Sequence, residues 1–291
     1  MRVIDSHVHL YPPEANVDPA RWGRDRGEDR WVEMSTRIRK TGIPVQAFPS
    51  VDELLSEMDR AGVERSILVG WYWQRAATCT AQNRFFADCI RAHPDRLSAL
   101  ATVQVADGVE GALAEMKSAH DTGLIGLGEL SPHTQGYAAT GANSYRVLDY
   151  ASELRWPVNF HVTDPMSRDY PGRVETPLED FVSIARAFPR LRIILAHWGG
   201  LLPLRDVTAK DLPNLYYDTA ASPLLYDPSV WERALAVISS DRVLFGSDFP
   251  LNLFPKLERS AEMTRFLQEA RTMRTPAAVL ANNAIDVFGV P

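Results

Sequence analysis

The stretch Val3–His9, VIDSHVH, decides the reading of this chain. An apolar, β-branched run reads as a buried strand, yet it finishes on two imidazoles spaced i, i+2. Alternation along a strand puts such a pair on one face, so both rings can point at one ion. The pattern recurs: Glu129 ends LIGLGE, His161 ends PVNFH, His197 ends RIILAH, and Asp248 follows VLFGS. Buried strands that each end on a nitrogen or oxygen metal-type ligand contradict their own apolar pattern. One shared site at one end of a sheet resolves the contradiction.

Eight short runs read as strands: Val3–His9, Arg65–Gly70, Leu97–Val103, Leu124–Leu130, Pro157–Val162, Arg192–His197, Leu215–Thr219 and Val243–Gly246. Between them lie amphipathic helical patterns such as VDELLSEMDRAG, EGALAEMKSAHDTG and LEDFVSIARAF, with Gly62 and Gly123 placed as C-terminal stops. Strand–helix alternation repeated about eight times predicts a parallel sheet. Closure into an α/β (β/α)8 TIM barrel would carry every candidate ligand to the C-terminal strand ends, where such barrels keep their functional groups. A doubly wound open sheet would not gather its first, middle and last strand ends at one point.

The 291 residues suit a single barrel domain over 1–291, with an insertion at 11–49 that carries the charged, Trp-containing RWGRDRGEDRW. Insertions of that length are usually functional or mobile. A second irregular stretch, residues 131–143, lies beyond the fourth strand, and the tail Ala261–Val290 reads as a closing helix pair. Trp198-Gly199-Gly200 reads as the start of the next helix.

The net charge of −6 and the interspersed charges leave no basic stripe, which argues against a nucleic-acid partner. No run reaches the ~18 apolar residues of a membrane span. Cys79 and Cys89 lack C-x-x-C spacing and read as reduced packing thiols. The N-terminus enters a strand at once, leaving no room for a signal peptide, so a cytoplasmic protein is expected.

The motifs DSHVH, NFH, LAHWGG and FGSDFP, in that order from Asp5 to Pro250, resemble the amidohydrolase superfamily. Within it, the chain resembles the amidohydrolase-related group that includes aminocarboxymuconate semialdehyde decarboxylase-like proteins. The resemblance implies that His7 and His9 bind a first metal, with Asp248 as its carboxylate ligand. His161 would complete a mononuclear site or bind a second ion, and His197 would be a second-metal ligand or a free base. Glu129 matches the position of a bridging Glu. LIGLGEL contains no Lys, which excludes a carboxylated lysine there.

Three imidazoles and a carboxylate suit Zn²⁺ first, with Mn²⁺ or Fe²⁺ as alternatives, in one or two ions. The expected activity is a metal-dependent hydrolase that turns metal-bound hydroxide on an ester, lactone or amide of a small, carboxylated substrate. Asp248 would shuttle the proton, and His197 or a metal would polarise the carbonyl. The alternative is non-oxidative decarboxylation of an aromatic or muconate-type acid, with Glu129 away from the metal. Asp5 reads as supporting the ligands rather than joining them. Trp71, Trp73, His133, Tyr137 and Arg168 are the expected substrate contacts. The partner is a small molecule, and a homodimer is the habit of barrel enzymes of this type.

Overall fold

The computed structural model describes residues 2–40, 42–252 and 262–291. Eight parallel strands fall inside the eight expected runs: β1 (Ile4–Val8), β2 (Arg65–Leu68), β3 (Leu97–Ala99), β4 (Leu127–Leu130), β5 (Val158–Phe160), β6 (Ile193–Leu195), β7 (Leu215–Asp218) and β8 (Val243–Leu244). Each is paired with its sequence neighbour, in ladders β1–β3 and β4–β8. At the two seams the ladder thins to isolated parallel bridges, Ala101 with Leu127 and Val8 with Phe249. The bond from Asp248 N to His7 O, 2.9 Å, belongs to the second seam. Strand order therefore runs from β1 to β8 and returns to β1, the order of a TIM barrel.

The helices form where their sequences dictate. In Val51–Ala61, Leu54, Met58 and Ala61 recur at helical spacing and are buried, which turns one stripe to the core. Ser50 and Glu53 make a reciprocal capping box at its start, and Gly62 ends it at φ 75°. Ile4, Ile67, Ile194 and Leu244 of the strands, with Leu100 just beyond β3, form a second apolar cluster with Ala281, Ala284 and Val287. That cluster joins the strands to the C-terminal helix Asn283–Phe288.

Three local expectations change. The 11–49 insertion is largely helical, with Pro13–Val17, Pro19–Arg26 and Asp29–Ser35 in sequence. Its Trp22 and Trp31 are buried against Tyr11 and Trp73, so the segment is anchored by aromatic packing. The 131–143 stretch contains a helical turn, Pro132–Gln135. The Gln135 amide fastens that turn to the backbone by donating to Trp73 O and Val103 O. The tail does contain two helices, Met263–Thr272 and Asn283–Phe288, although Ala261 lies outside the described residues.

The third change is sharper. Trp198-Gly199-Gly200 does not begin a helix: His197, Trp198, Gly199, Gly200 and Leu201 all have φ between 57° and 60°. Five consecutive left-handed residues make a reversed turn directly after β6. Each non-glycine residue there costs roughly 1–2 kcal/mol, so surrounding contacts must hold it. Trp198 Nε1 donates to Ser222 Oγ at 3.1 Å, and its ring meets Trp231 edge-on at 4.9 Å. Tyr226 Oη donates to His197 O at 3.3 Å.

Candidate metal centre

The six strand-end residues converge. His7 Nε2 and His9 Nε2 lie 3.3 Å apart, and Asp248 Oδ1 is 3.3 Å from His9 Nε2 and 3.9 Å from His7 Nε2. Glu129 Oε1 is 3.9 Å from His7 Nε2, while its Oε2 is 3.9 Å from His9 Nε2. On its other side, Glu129 Oε1 is 2.9 Å from His161 Nδ1 and 3.8 Å from His197 Nε2. His161 Nδ1 and His197 Nε2 are 3.3 Å apart. Two triads result, His7/His9/Glu129 and Glu129/His161/His197, with Glu129 common to both.

This donor set fits divalent ions. An ion with nitrogen and oxygen ligands at 2.0–2.2 Å holds them about 3.4 Å apart in a tetrahedron, near the spacings found here. The outer ring nitrogens are committed elsewhere, which aims the inner ones. His9 Nδ1 donates to Val69 O at 3.0 Å, and His197 Nδ1 to Ala220 O at 3.1 Å. His7 Nδ1 lies 2.9 Å from Asp218 Oδ2. Such outer partners fix the tautomer of a ligating imidazole.

Backbone geometry delivers the ligands. Asp248 sits at φ 65° beyond β8, and Ser247 Oγ accepts from Phe249 N at 3.0 Å to hold the turn. Asp5 supports it from below, its Oδ1 accepting from Ser247 N at 2.9 Å and His7 N at 3.2 Å. Burial pushes the Asp5 carboxyl up to about 6 against those bonds. Gly246 is required because a Cβ there would lie 2.8 Å from His7 Cβ.

The electrostatics are those of carboxylates facing imidazoles in a buried space. Burial opposes charge on His7, but Asp218, backed by Glu129 and Asp248, outweighs it and lifts His7 to about 10. Burial likewise opposes charge on Glu129, but His161, His7 and His9 hold it well below the usual carboxylate range. Burial dominates at His197 and pulls it below the ordinary histidine value. A cation would relieve the same carboxylates while replacing the protons.

The expected substrate contacts are less concentrated. Trp71, 8% exposed, stacks on Tyr72 at 4.2 Å and stands 6.0 Å from the His9 ring. Trp73 is instead fully buried in the aromatic cluster with Tyr11, Trp22 and Trp31, a packing role. His133 Nε2 pairs with Asp180 at 2.9 Å, and the Tyr137 hydroxyl donates to Gln135 Oε1 at 3.4 Å. Arg168 is exposed in the segment after β5. Of the five, only Trp71 is shown beside a residue of the centre.

Three neighbours of the centre escaped the sequence reading. Asp218 ends β7 against His7 and His197, Asn159 Nδ2 donates to Asp218 Oδ2 at 3.1 Å, and the Tyr72 ring lies 4.9 Å from the His161 ring. The run LYYD also ends on a polar residue, but its two tyrosines blunt the apolar contrast that marks the other strand ends.

Known proteins give the same architecture. The structure is similar to a 5-carboxyvanillate decarboxylase from Sphingomonas paucimobilis, at 19% identity and TM-score 0.71, covering 100% of this chain and 99% of that one. A dihydroxybenzoic acid decarboxylase from a Polaromonas species, with bound manganese and an inhibitor, matches at 17% and 0.70, covering 99% and 97%. A probable 2-pyrone-4,6-dicarboxylic acid hydrolase from Acinetobacter baumannii, with citric acid bound, matches at 15% and 0.65, covering 99% and 100%. Decarboxylases predominate among these neighbours with named activities. These likenesses establish the TIM-barrel fold, and a family model described as amidohydrolase matches residues 4–290. With the strand-end residues gathered at one centre and the match spanning nearly every residue, the chain belongs to the amidohydrolase family.

Proposed function

We propose that this chain is a metal-dependent enzyme that hydrolyses an ester, lactone or amide bond in a small, carboxylated molecule. The observation that carries this reading is Glu129, one buried carboxylate within 3.9 Å of imidazole nitrogens from both triads. His7, His9 and Asp248 would hold one divalent ion, His161 and His197 a second, with Glu129 between them. Zinc suits the donors, and manganese, which one structural neighbour contains, suits them too. Bound there, divalent ions supply an acidified water and a polarised carbonyl.

The chain's own groups do the rest. Asp248, only 4% exposed and 3.3 Å from His9 Nε2, accepts the proton of the attacking water and returns it to the leaving group. His197, fixed with Nδ1–H on Ala220 O, presents Nε2 inward. Tyr72 and Trp71 wall the side next to His161 and His9 and keep bulk water back.

Non-oxidative decarboxylation of an aromatic or muconate-type acid is the second reading, and the named activities of the neighbours favour it. Under it, one ion at His7, His9, His161 and Asp248 would hold the substrate's oxygens. His197 would then supply the proton that replaces the departing carboxyl group. The neighbours named above are 15–19% identical, so they speak for the fold, whereas the position of Glu129 belongs to this chain. That ordering puts hydrolysis first.

Elemental analysis of purified protein, followed by parallel assays, tests the choice. About two ions per chain, with turnover of a lactone, ester or amide, supports hydrolysis. About one ion with carbon dioxide release from a hydroxybenzoate or muconate-type acid overturns it in favour of the second reading. Binding of neither zinc nor manganese overturns both. Two buried free cysteines support a reducing, cytoplasmic home under either.

A further inference from the structure

Four hydrogen-bond donors converge on the carboxylate of Asp218. Its Oδ2 lies 2.9 Å from His7 Nδ1 and 3.1 Å from Asn159 Nδ2. Its Oδ1 lies 3.0 Å from His197 N and 3.0 Å from Ala220 N. The group is fully buried, so water supplies none of these partners. Two of the donors are backbone N–H groups, which have no alternative role. A carboxylate offers four lone-pair sites, two on each oxygen, and all four are used.

Asparagine, the nearest isostere, cannot keep this pattern with the proton on His7 Nδ1. With its oxygen toward His197 and Ala220, its NH₂ faces the Nδ1–H of His7 and the Asn159 amide. With the amide flipped, the NH₂ faces two backbone N–H groups. The first pose works only if His7 gives up its Nδ1 proton and the Asn159 amide turns over to accept, and the second leaves the backbone N–H groups unpaired, at the cost of their desolvation.

We infer that Asp218 is the positioning residue of the whole centre: it sets the proton of His7 on Nδ1, leaving Nε2 for the ion, and anchors the left-handed turn that presents His197. One side chain on β7 thereby ties together β1, β5 and β6, and a residue from each triad. The inference rests on the metal-enzyme reading above for its consequence, although the hydrogen-bond pattern stands without a metal. The turn needs such an anchor, because His197 and Trp198 are β-carbon-bearing residues at φ 58° and 57°.

The test is nuclear magnetic resonance of ¹⁵N-histidine-labelled protein, metal-free and zinc-loaded, with zinc affinity measured by calorimetry. In the wild-type protein, His7 Nδ1 carries a strongly downfield proton in both states. In Asp218→Asn that resonance is lost and zinc affinity falls about 10–100-fold, the range for removal of a partner of a ligating imidazole. Asn159→Ala keeps the carboxylate and the downfield proton, with a smaller loss of affinity.

An unprotonated His7 Nδ1 in the wild-type protein overturns the inference, as does wild-type zinc affinity in a folded Asp218→Asn. If Asp218→Asn fails to fold, the wild-type spectrum and Asn159→Ala decide it. If the wild-type protein binds no zinc or manganese, the metal reading fails. The Nδ1 resonance of the metal-free protein still decides the role of Asp218.

Discussion

Glu129 Oε1 lies 2.9 Å from His161 Nδ1, and the opposite oxygen of the same carboxylate reaches to 3.9 Å from His9 Nε2. One carboxylate thus spans two imidazole clusters contributed by β1, β5 and β6. Glu129→Gln preserves volume but removes the charge that balances four histidines. Metal content is expected to fall from about two ions per chain to about one. Hydrolytic turnover should fall on the order of 10²-fold, as when a charge-stabilising group is removed from an active site. Elemental analysis and steady-state rates check this, and full metal with full activity would remove Glu129 from the shared position.

His9 stands between His7 and Asp248, 3.3 Å from each. His9→Ala deletes the middle ligand of the first cluster and leaves His7, Asp248 and Glu129, one donor short of a four-ligand site. The purified variant is expected to lose metal at that position while circular dichroism stays that of the parent. Parental metal content would show that His7, Asp248 and Glu129 suffice.

His7 gives the metal-free protein a pH dependence with a definite sign. Its folded-state value, lifted to about 10, lies above the ordinary 6.5. The stability it contributes is therefore fully present below about pH 6.5 and is lost as pH rises towards 10. Zinc takes the place of the proton on Nε2, so zinc-loaded protein should lack this term. Melting temperatures from pH 6.5 to 10 check it: a fall in the metal-free protein that exceeds that of the loaded protein is expected. Across the same range, apparent zinc affinity should rise with pH, close to tenfold per unit for one displaced proton. Parallel melting curves would contradict the assignment.

The barrel was legible because each strand is a short β-branched run that ends on a residue at odds with it. RIILAH and PVNFH announce both the strand and its functional end. Asp218 was passed over because LYYD carries two tyrosines, only one of which is fully buried, and so lacks the apolar contrast of the other runs. The insertion stands out in the sequence by its charge, but its structure is set by Trp22, Trp31 and Trp73 meeting one another across distant segments. Arg21, Arg24, Arg26 and Arg30 are all exposed, so charge marked its surface and not its fold. Trp73 shows the same dependence on distant partners. Residues 71 and 73 both follow β2, and nothing local separates one beside His9 from one inside an aromatic core. The left-handed turn at His197 was invisible because its stabilising contacts come from Asp218, Ser222 and Tyr226, more than twenty residues away.

Gly199 makes that turn testable by stability. Its φ is 59°, and a Cβ there would meet Tyr217 Cδ1 at 2.8 Å and Leu195 Cβ at 3.1 Å. Tyr217 is fully buried and Leu195 belongs to β6, so neither yields easily. Gly199→Ala therefore combines the left-handed penalty of about 1–2 kcal/mol with overpacking of about 1–3 kcal/mol. Gly136, at φ 82° with nothing within 4 Å of its virtual Cβ, isolates the first of these two costs. Denaturant unfolding of both variants, metal-free, should show Gly199→Ala losing more stability than Gly136→Ala by about the overpacking cost. Gly199→Ala should also bind less metal, because the same clash displaces His197, two residues earlier. Equal losses in the two variants would mean that the turn can move away from Tyr217, and that His197 is not held by the packing beneath it.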